Sequence, residues 1–172
     1  LPFYRQVQQL RHLGFKASES TIDGWFKPAV ELLKPLYEVL KSEIMKSDYL
    51  QGDETTVPVL DKASHKTHKE YLWMVRAVVQ RLVLFHYNNG SRSGTVIEEL
   101  TKGYKGYFQC DGFEGYESAF KTRPDVLLVN CMAHIRRHFE QAQKENREPA
   151  EYALKEIQLL YRIEHDCDER GL

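Results

Sequence analysis

Apolar residues recur at helical spacing in the first part of the chain and at strand spacing after it. Val7, Leu10 and Leu13 stand three apart, the repeat of a helix with one buried face, and Gly14 follows as a stop. Ser20-Thr21-Ile22-Asp23 has the form of a capping box, in which a hydroxyl and an acid three positions on satisfy free amides, so a short helix is expected through Trp25 and Phe26. Pro28 should end that helix or open the next, along which Val30, Leu33, Tyr37, Leu40 and Ile44 form an apolar stripe that Pro35 can kink. From Tyr49 the period changes. Residues 49–60, 71–79 and 81–87 are dense in Val, Leu, Tyr and Trp and read as three neighbouring strands, with 61–70 as a polar loop. Thr95-Val96-Ile97-Glu98 repeats the capping form and predicts a helix over 91–102. A strand over 106–110, a helix over 114–120, a strand over 125–130 and a helix over 132–145 follow. Leu154, Ile157, Leu160, Tyr161 and Glu164 then mark a last helix over 149–165.

Three strands followed by alternating helices and strands make an α/β order with early hairpins and later crossovers. At 172 residues, with 42% hydrophobic, 12% aromatic and 28% charged side chains, the chain is a globular domain with room for a core. No run reaches the roughly 18 apolar residues of a membrane span, since Arg76, Gln80 and Arg81 break the richest stretch. Three widely spaced cysteines, Cys110, Cys131 and Cys167, argue for reduced thiols in a cytoplasmic protein and against a disulfide scaffold. A net charge of -1 announces no nucleic-acid binder, so local clusters must carry any such case. The chain opens at Leu1 without a methionine and closes at Leu172 after a helical pattern, and it is read as a segment of something longer.

Candidate chemistry gathers at the expected strand ends. Asp53, in Gly52-Asp53-Glu54-Thr55, belongs to the first strand, and Asp111 directly follows the fourth. If these strands are neighbours, the acids face each other, and a divalent cation with hard oxygen ligands, Mg²⁺ or Mn²⁺, is the usual way for both to stay ionised. An Asp before Gly, as in Asp111-Gly112, is also a common turn former. Cys131 and His134 lie one helical turn apart, which reads as half of a zinc site, as a histidine beside the acids donating to a phosphate, or as a structural cap. Arg136, Arg137 and His138, taken with Lys102 and Lys105, form a small basic cluster that suits a DNA backbone or a solvated helix face. Lys62, His65, Lys66, His68 and Lys69 form another, either a DNA-contacting hairpin tip or an exposed connection.

Taken together, several segments resemble the transposases of the bacterial insertion sequence 66 family. They are Ser20-Thr21-Ile22 with Trp25; Gly52-Asp53-Glu54-Thr55 with Val57-Pro58-Val59-Leu60; Tyr71-Leu72-Trp73; Gln109-Cys110-Asp111-Gly112-Phe113 with Gly115-Tyr116; the run from Cys131 through Arg136-Arg137-His138-Phe139; and Leu160-Tyr161-Arg162-Ile163-Glu164. The resemblance implies an RNase H-like fold, a mixed five-stranded sheet flanked by helices, whose Asp, Asp, Glu metal site cuts and joins DNA strands. It makes Asp53 and Asp111 the first two acids and sets His134, in a Cys-x-x-His pattern, near the scissile phosphate. The family's third acid, a glutamate in an Asn-Asn-x-x-Glu-Arg type motif, has no counterpart, and Glu164 matches a helical insertion instead. Two Mg²⁺ or Mn²⁺ ions, DNA ends and target, a homo-oligomer on DNA, accessory element-encoded proteins and a nucleoid-associated bacterial location are implied as well. Residues 1–48 then form a helical lead-in, either part of a DNA-binding region or a brace, 49–146 the catalytic core, and 147–172 the start of the insertion. Two rival readings remain. A transposase remnant would serve only as a DNA-binding or interaction module, and a cellular metal-dependent nuclease of the same fold would need a third acid such as Glu140 or Glu145.

Overall fold

A computed structural model describes residues 2–61 and 64–171. Helices α1 (Phe3–His12) and α2 (Glu19–Ile44) lead into strands β1 (Tyr49–Leu60), β2 (Thr67–Ala77) and β3 (Leu82–Tyr87). Helix α3 (Gly94–Leu100), strand β4 (Gly106–Cys110), helix α4 (Glu114–Phe120) and strand β5 (Val126–Asn130) alternate before helices α5 (Met132–Ala142) and α6 (Arg147–Arg170). The sheet order is β3-β2-β1-β4-β5. β1 to β3 are antiparallel neighbours, while β4 joins β1 in parallel and β5 joins β4 in parallel. This mixed five-stranded sheet, flanked by helices and preceded by a helical lead-in, is the RNase H-like arrangement.

Alternation along the strands gives the sheet two unlike faces. Leu50, Trp73, Val75, Leu84 and Phe108 point to one face and are buried there against Ile44 of α2, Ile97 and Leu100 of α3, and Tyr116 and Phe120 of α4. The Phe108 ring lies at the centre, 5.0 Å from the Phe120 ring and 5.8 Å from that of Tyr116. Each such large apolar side chain contributes about 1.5–3 kcal/mol on burial, so this one layer holds most of the driving force. On the other face Tyr107, Leu127 and Phe85 are exposed. They share it with Asp53, because Asp53 pairs with Met74 and Met74 with Phe85.

Several element boundaries differ from the sequence expectation. α2 is one helix, not a short helix followed by another, although it contains Pro28 and Pro35. These prolines stand seven residues apart on an exposed side, as do Gly24 and Glu31, whose carbonyls lose an amide partner and meet water instead. Its cap is Ser18 rather than Ser20: the Ser18 hydroxyl accepts from the Thr21 amide at 3.1 Å. Likewise α3 is capped by Ser93, which accepts from the Thr95 amide, and not by Thr95. The loop expected over 61–70 is shorter, since β2 begins at Thr67 and pairs as far as Leu60. Thr67-His68-Lys69 is a polar strand because that arm of the hairpin is exposed. Pro149 lies inside the first turn of α6, where a missing amide costs no helical bond.

α2 docks on the sheet partly through a hydrogen bond between the Tyr37 hydroxyl and His86 Nδ1, 2.9 Å long. Burial lowers the His86 pKa below its ordinary 6.5, with Lys41 adding to the effect and Glu99 and Glu38 opposing it. The unfolded chain therefore takes up a proton near pH 6.5 that the folded chain refuses. Stability from this site is complete above that pH and declines as pH falls below it. Urea unfolding at pH 7 and pH 5 should show a loss in the native protein that is smaller in His86→Asn.

Candidate metal centre

β1 and β4 run in parallel and in register, Leu50 beside Phe108 and Gln51 beside Gln109. Their pairing ends there. Two residues further on, Asp53 and Asp111 occupy corresponding positions on the open side of the sheet. Asp53 is not at a strand terminus, as the sequence suggested, because β1 continues to Leu60 as the arm of a hairpin with β2. What places it at an edge is the end of β4, not of β1.

Gly52 has no room for a side chain. A Cβ there would collide with the Phe108 ring, so any other residue would force that core ring to shift. β5 ends beside β4, and the Cys131 amide donates to the Cys110 carbonyl at 2.8 Å. Cys131 is the residue before α5, which sets His134 in that helix's first turn.

Asp53, Asp111 and His134 thereby converge: each offers one ligand atom, and these atoms lie within 4.8 Å of one another. Gln51, Gln109, Met74 and Cys131 line the same cleft. The two carboxylates and the His134 ring thus share one cleft. His134 Nδ1 is buried without a hydrogen-bond partner among the described residues, the condition of a nitrogen lone pair available to a ligand. Asp53 Oδ1 accepts from the Glu54 amide at 2.9 Å and Asp111 Oδ1 from the Phe113 amide at 3.1 Å. Neither aspartate has an ion pair among the described residues. Two carboxylates and an imidazole, close together and without a protein cation, are a donor set that fits a divalent ion.

The other candidates are distributed differently. The group contains no cysteine. Burial, helped by Asp111 and Glu54, pushes the Cys110 thiol up to about 12. Arg136 pairs with Glu140 across one turn of α5 at 2.8 Å, and Arg137 lines a groove between α5 and α6 with Lys155 and Tyr161. Glu140 is thus occupied at the helix surface, and neither it, Glu145 nor Glu164 belongs to the three-ligand group. Lys102 and Lys105 precede β4, whose far end carries Asp111, and the five-residue strand places Lys105 about 20 Å from that acid. Of the second basic group, Lys62 lies outside the described residues, and His68 pairs with Glu70 at 2.6 Å on β2.

Sequence reasoning passed over Glu54 and Arg92. Glu54 is the neighbour of Asp53 but points to the sealed face, where its side chain is 2% exposed and Arg92 meets it at 2.7 Å.

A family model described as Transposase IS66 family matches residues 1–171. The chain belongs to this family. Among its relatives is the uncharacterized protein y4qI of Sinorhizobium fredii, 28% identical over 152 residues, which are 81% of this chain and 28% of that protein. The uncharacterized protein y4jD of the same organism is 29% identical over 181 residues, 96% of this chain and 35% of that protein. The chain therefore spans about a third or less of the length of these relatives. No described helix is long and apolar enough to cross a membrane.

The geometry makes two predictions. Mn²⁺ titrated into the chain and followed by its free-ion paramagnetic resonance signal should bind, with Asp53→Asn and Asp111→Asn each abolishing the effect and His134→Ala weakening it about tenfold. Gly52→Ala should lower the unfolding free energy by about 1–3 kcal/mol, the usual range for overpacking a filled core, read from the urea midpoint.

Proposed function

We propose that this chain is the catalytic-core segment of a DNA transposase that cleaves and joins DNA strands with Mg²⁺ or Mn²⁺. The observation that carries the reading is the convergence of Asp53, Asp111 and His134 at the end of β4 in a member of the Transposase IS66 family. Asp53 and Asp111 hold the ions, with a third carboxylate supplied from outside this chain. When bound, the ions activate the attacking water or 3′-hydroxyl and stabilise the leaving oxygen of the phosphodiester. The two aspartates fix where the phosphate sits, and His134 borders it, the ring nitrogen other than Nδ1 donating a hydrogen bond to it. Arg136 and Arg137, on the helix that starts at this end of the sheet, contact the backbone of the bound strand. Lys102 and Lys105 contact a separate stretch of DNA, since they lie at the opposite sheet end. The partners are element ends and target DNA, engaged by a homo-oligomer with accessory element-encoded proteins in the bacterial nucleoid.

The open sheet face supports this reading. A long phosphate-backbone substrate needs access to the acids from one side, and the side bearing Asp53 is the one no helix seals.

The test is strand cleavage and joining by a protein of the relatives' full length that contains this chain, on DNA carrying element ends. Activity should require Mn²⁺ or Mg²⁺, stop with a chelator, and fall by about a thousandfold or more in Asp53→Asn or Asp111→Asn, as expected when a transition-state-stabilising group is lost. The 172-residue chain alone should not cleave. Undiminished cleavage by both aspartate variants would remove the metal mechanism and leave a DNA-binding module.

A further inference from the structure

Glu54 carries a carboxylate outside the metal cluster, yet its side chain is only 2% exposed. An ionised carboxylate is tolerated at that depth only when it is paired and hydrogen-bonded. Arg92 Nε and Nη2 donate to Glu54 Oε1 at 2.9 and 2.7 Å, and the Tyr116 hydroxyl donates to Oε2 at 2.8 Å. The Arg92 guanidinium lies over the Phe113 ring, 4.0 Å from its centroid, with the Tyr71 ring at 5.3 Å. Stacking of this kind is a property of the planar guanidinium that lysine lacks.

The network touches both aspartates through the main chain. The Glu54 amide bonds Asp53, and the Phe113 amide bonds Asp111. Because β1 and β4 cease to pair after Gln51 and Gln109, the sheet ladder itself does not hold residues 53 and 111 together. Two adjacent like charges would favour separation at that point. A link running from the sealed Glu54 carboxylate through the partly exposed Arg92 to Phe113 spans the gap on the face opposite Asp53.

We propose that Glu54 is a positioning residue for the aspartate pair, acting through Arg92 and Phe113 to keep the Asp111 loop beside β1 where the ladder has ended. The inference rests on the reading of Asp53 and Asp111 as metal ligands. Tyr116 serves Glu54 too, but it belongs to the core and does not grip the Asp111 loop through the guanidinium.

Three variants of the full chain, Glu54→Gln, Arg92→Met and Tyr116→Phe, separate positioning from plain stability, with Arg92→Lys as a milder form should the methionine variant not fold. Two readouts are compared with the melting temperature: hydrogen exchange at the Phe113 amide relative to the core amides of Leu50 and Trp73, and Mn²⁺ affinity. Glu54→Gln and Arg92→Met should speed Phe113 exchange at least tenfold over that of the core amides and weaken Mn²⁺ binding about 10- to 100-fold, the range for groups that orient a metal's ligands. Tyr116→Phe should lower the melting temperature yet leave both readouts near the native values. Native Phe113 exchange in Glu54→Gln and Arg92→Met, or losses in all three variants that simply track melting temperature, would overturn the proposal. If the native chain shows no Asp53-dependent Mn²⁺ binding, the metal reading fails, while Phe113 exchange still decides whether the link holds the loop.

Discussion

The parallel contact between β1 and β4 is the constraint on which the rest of the structure depends. It brings Leu50 beside Phe108 and lets the aromatic ring lie over Gly52, a position where any Cβ would collide. Around that ring close Tyr116, Phe120 and Tyr104, so helices α3 and α4 are oriented by the same contact that aligns the two strands. The pairing is also short. Because it stops at Gln51 and Gln109, the two chains diverge at the level of Asp53 and Asp111, and divergence creates the space a ligand needs. A longer ladder would have spent the same backbone positions on hydrogen bonds between strands. Open α/β sheets place ligands beyond the carboxyl ends of parallel strands for this reason.

Much of this was legible in the sequence. The strand over 106–110 and the helix over 114–120 are legible with matching bounds, because Gly106 opens the strand and Asp111-Gly112 interrupts the chain between them. The adjacency of the first and fourth strands was only conditional, since strand order is a long-range property that periodicity does not encode. Local capping signals mislead where several hydroxyls compete: Ser18 hydrogen-bonds with both Ser20 and Thr21, and which of them caps depends on where the chain turns. Prolines misled as well, because the cost of a proline in a helix depends on whether the freed carbonyl meets water, and that is decided by tertiary placement. Periodicity also does not encode how far Lys102 and Lys105 stand from the acids: they precede β4, and Asp111 lies beyond its other end.

Glu54 was the least visible of the functional-site residues. In Gly52-Asp53-Glu54-Thr55 it reads as a second surface acid, and its partners Arg92 and Tyr116 are 38 and 62 residues away. The one available signal was the strand period itself: if Asp53 faces a cleft, its neighbour must face the other way.

That alternation decides how charge is divided at the site. Two successive carboxylates leave the strand on opposite faces, into unlike surroundings. On the sealed face water cannot screen Glu54, so the protein must supply the counter-charge, and Arg92 does so with two hydrogen bonds to one oxygen. On the open face Asp53 and Asp111 stand together without an arginine or lysine in ion-pair range among the described residues, although mutual repulsion would be relieved by one. A cation of the protein's own placed there would compete with a divalent ion for the same oxygens. With Arg92 bound behind the sheet to the carboxylate that does not face the cleft, the two aspartates keep hydrogen bonds to backbone amides and, among the described residues, no ion-pair partner. Their remaining demand for positive charge can then be met only from the cleft, which is the electrostatic condition for holding a divalent metal beside a phosphate.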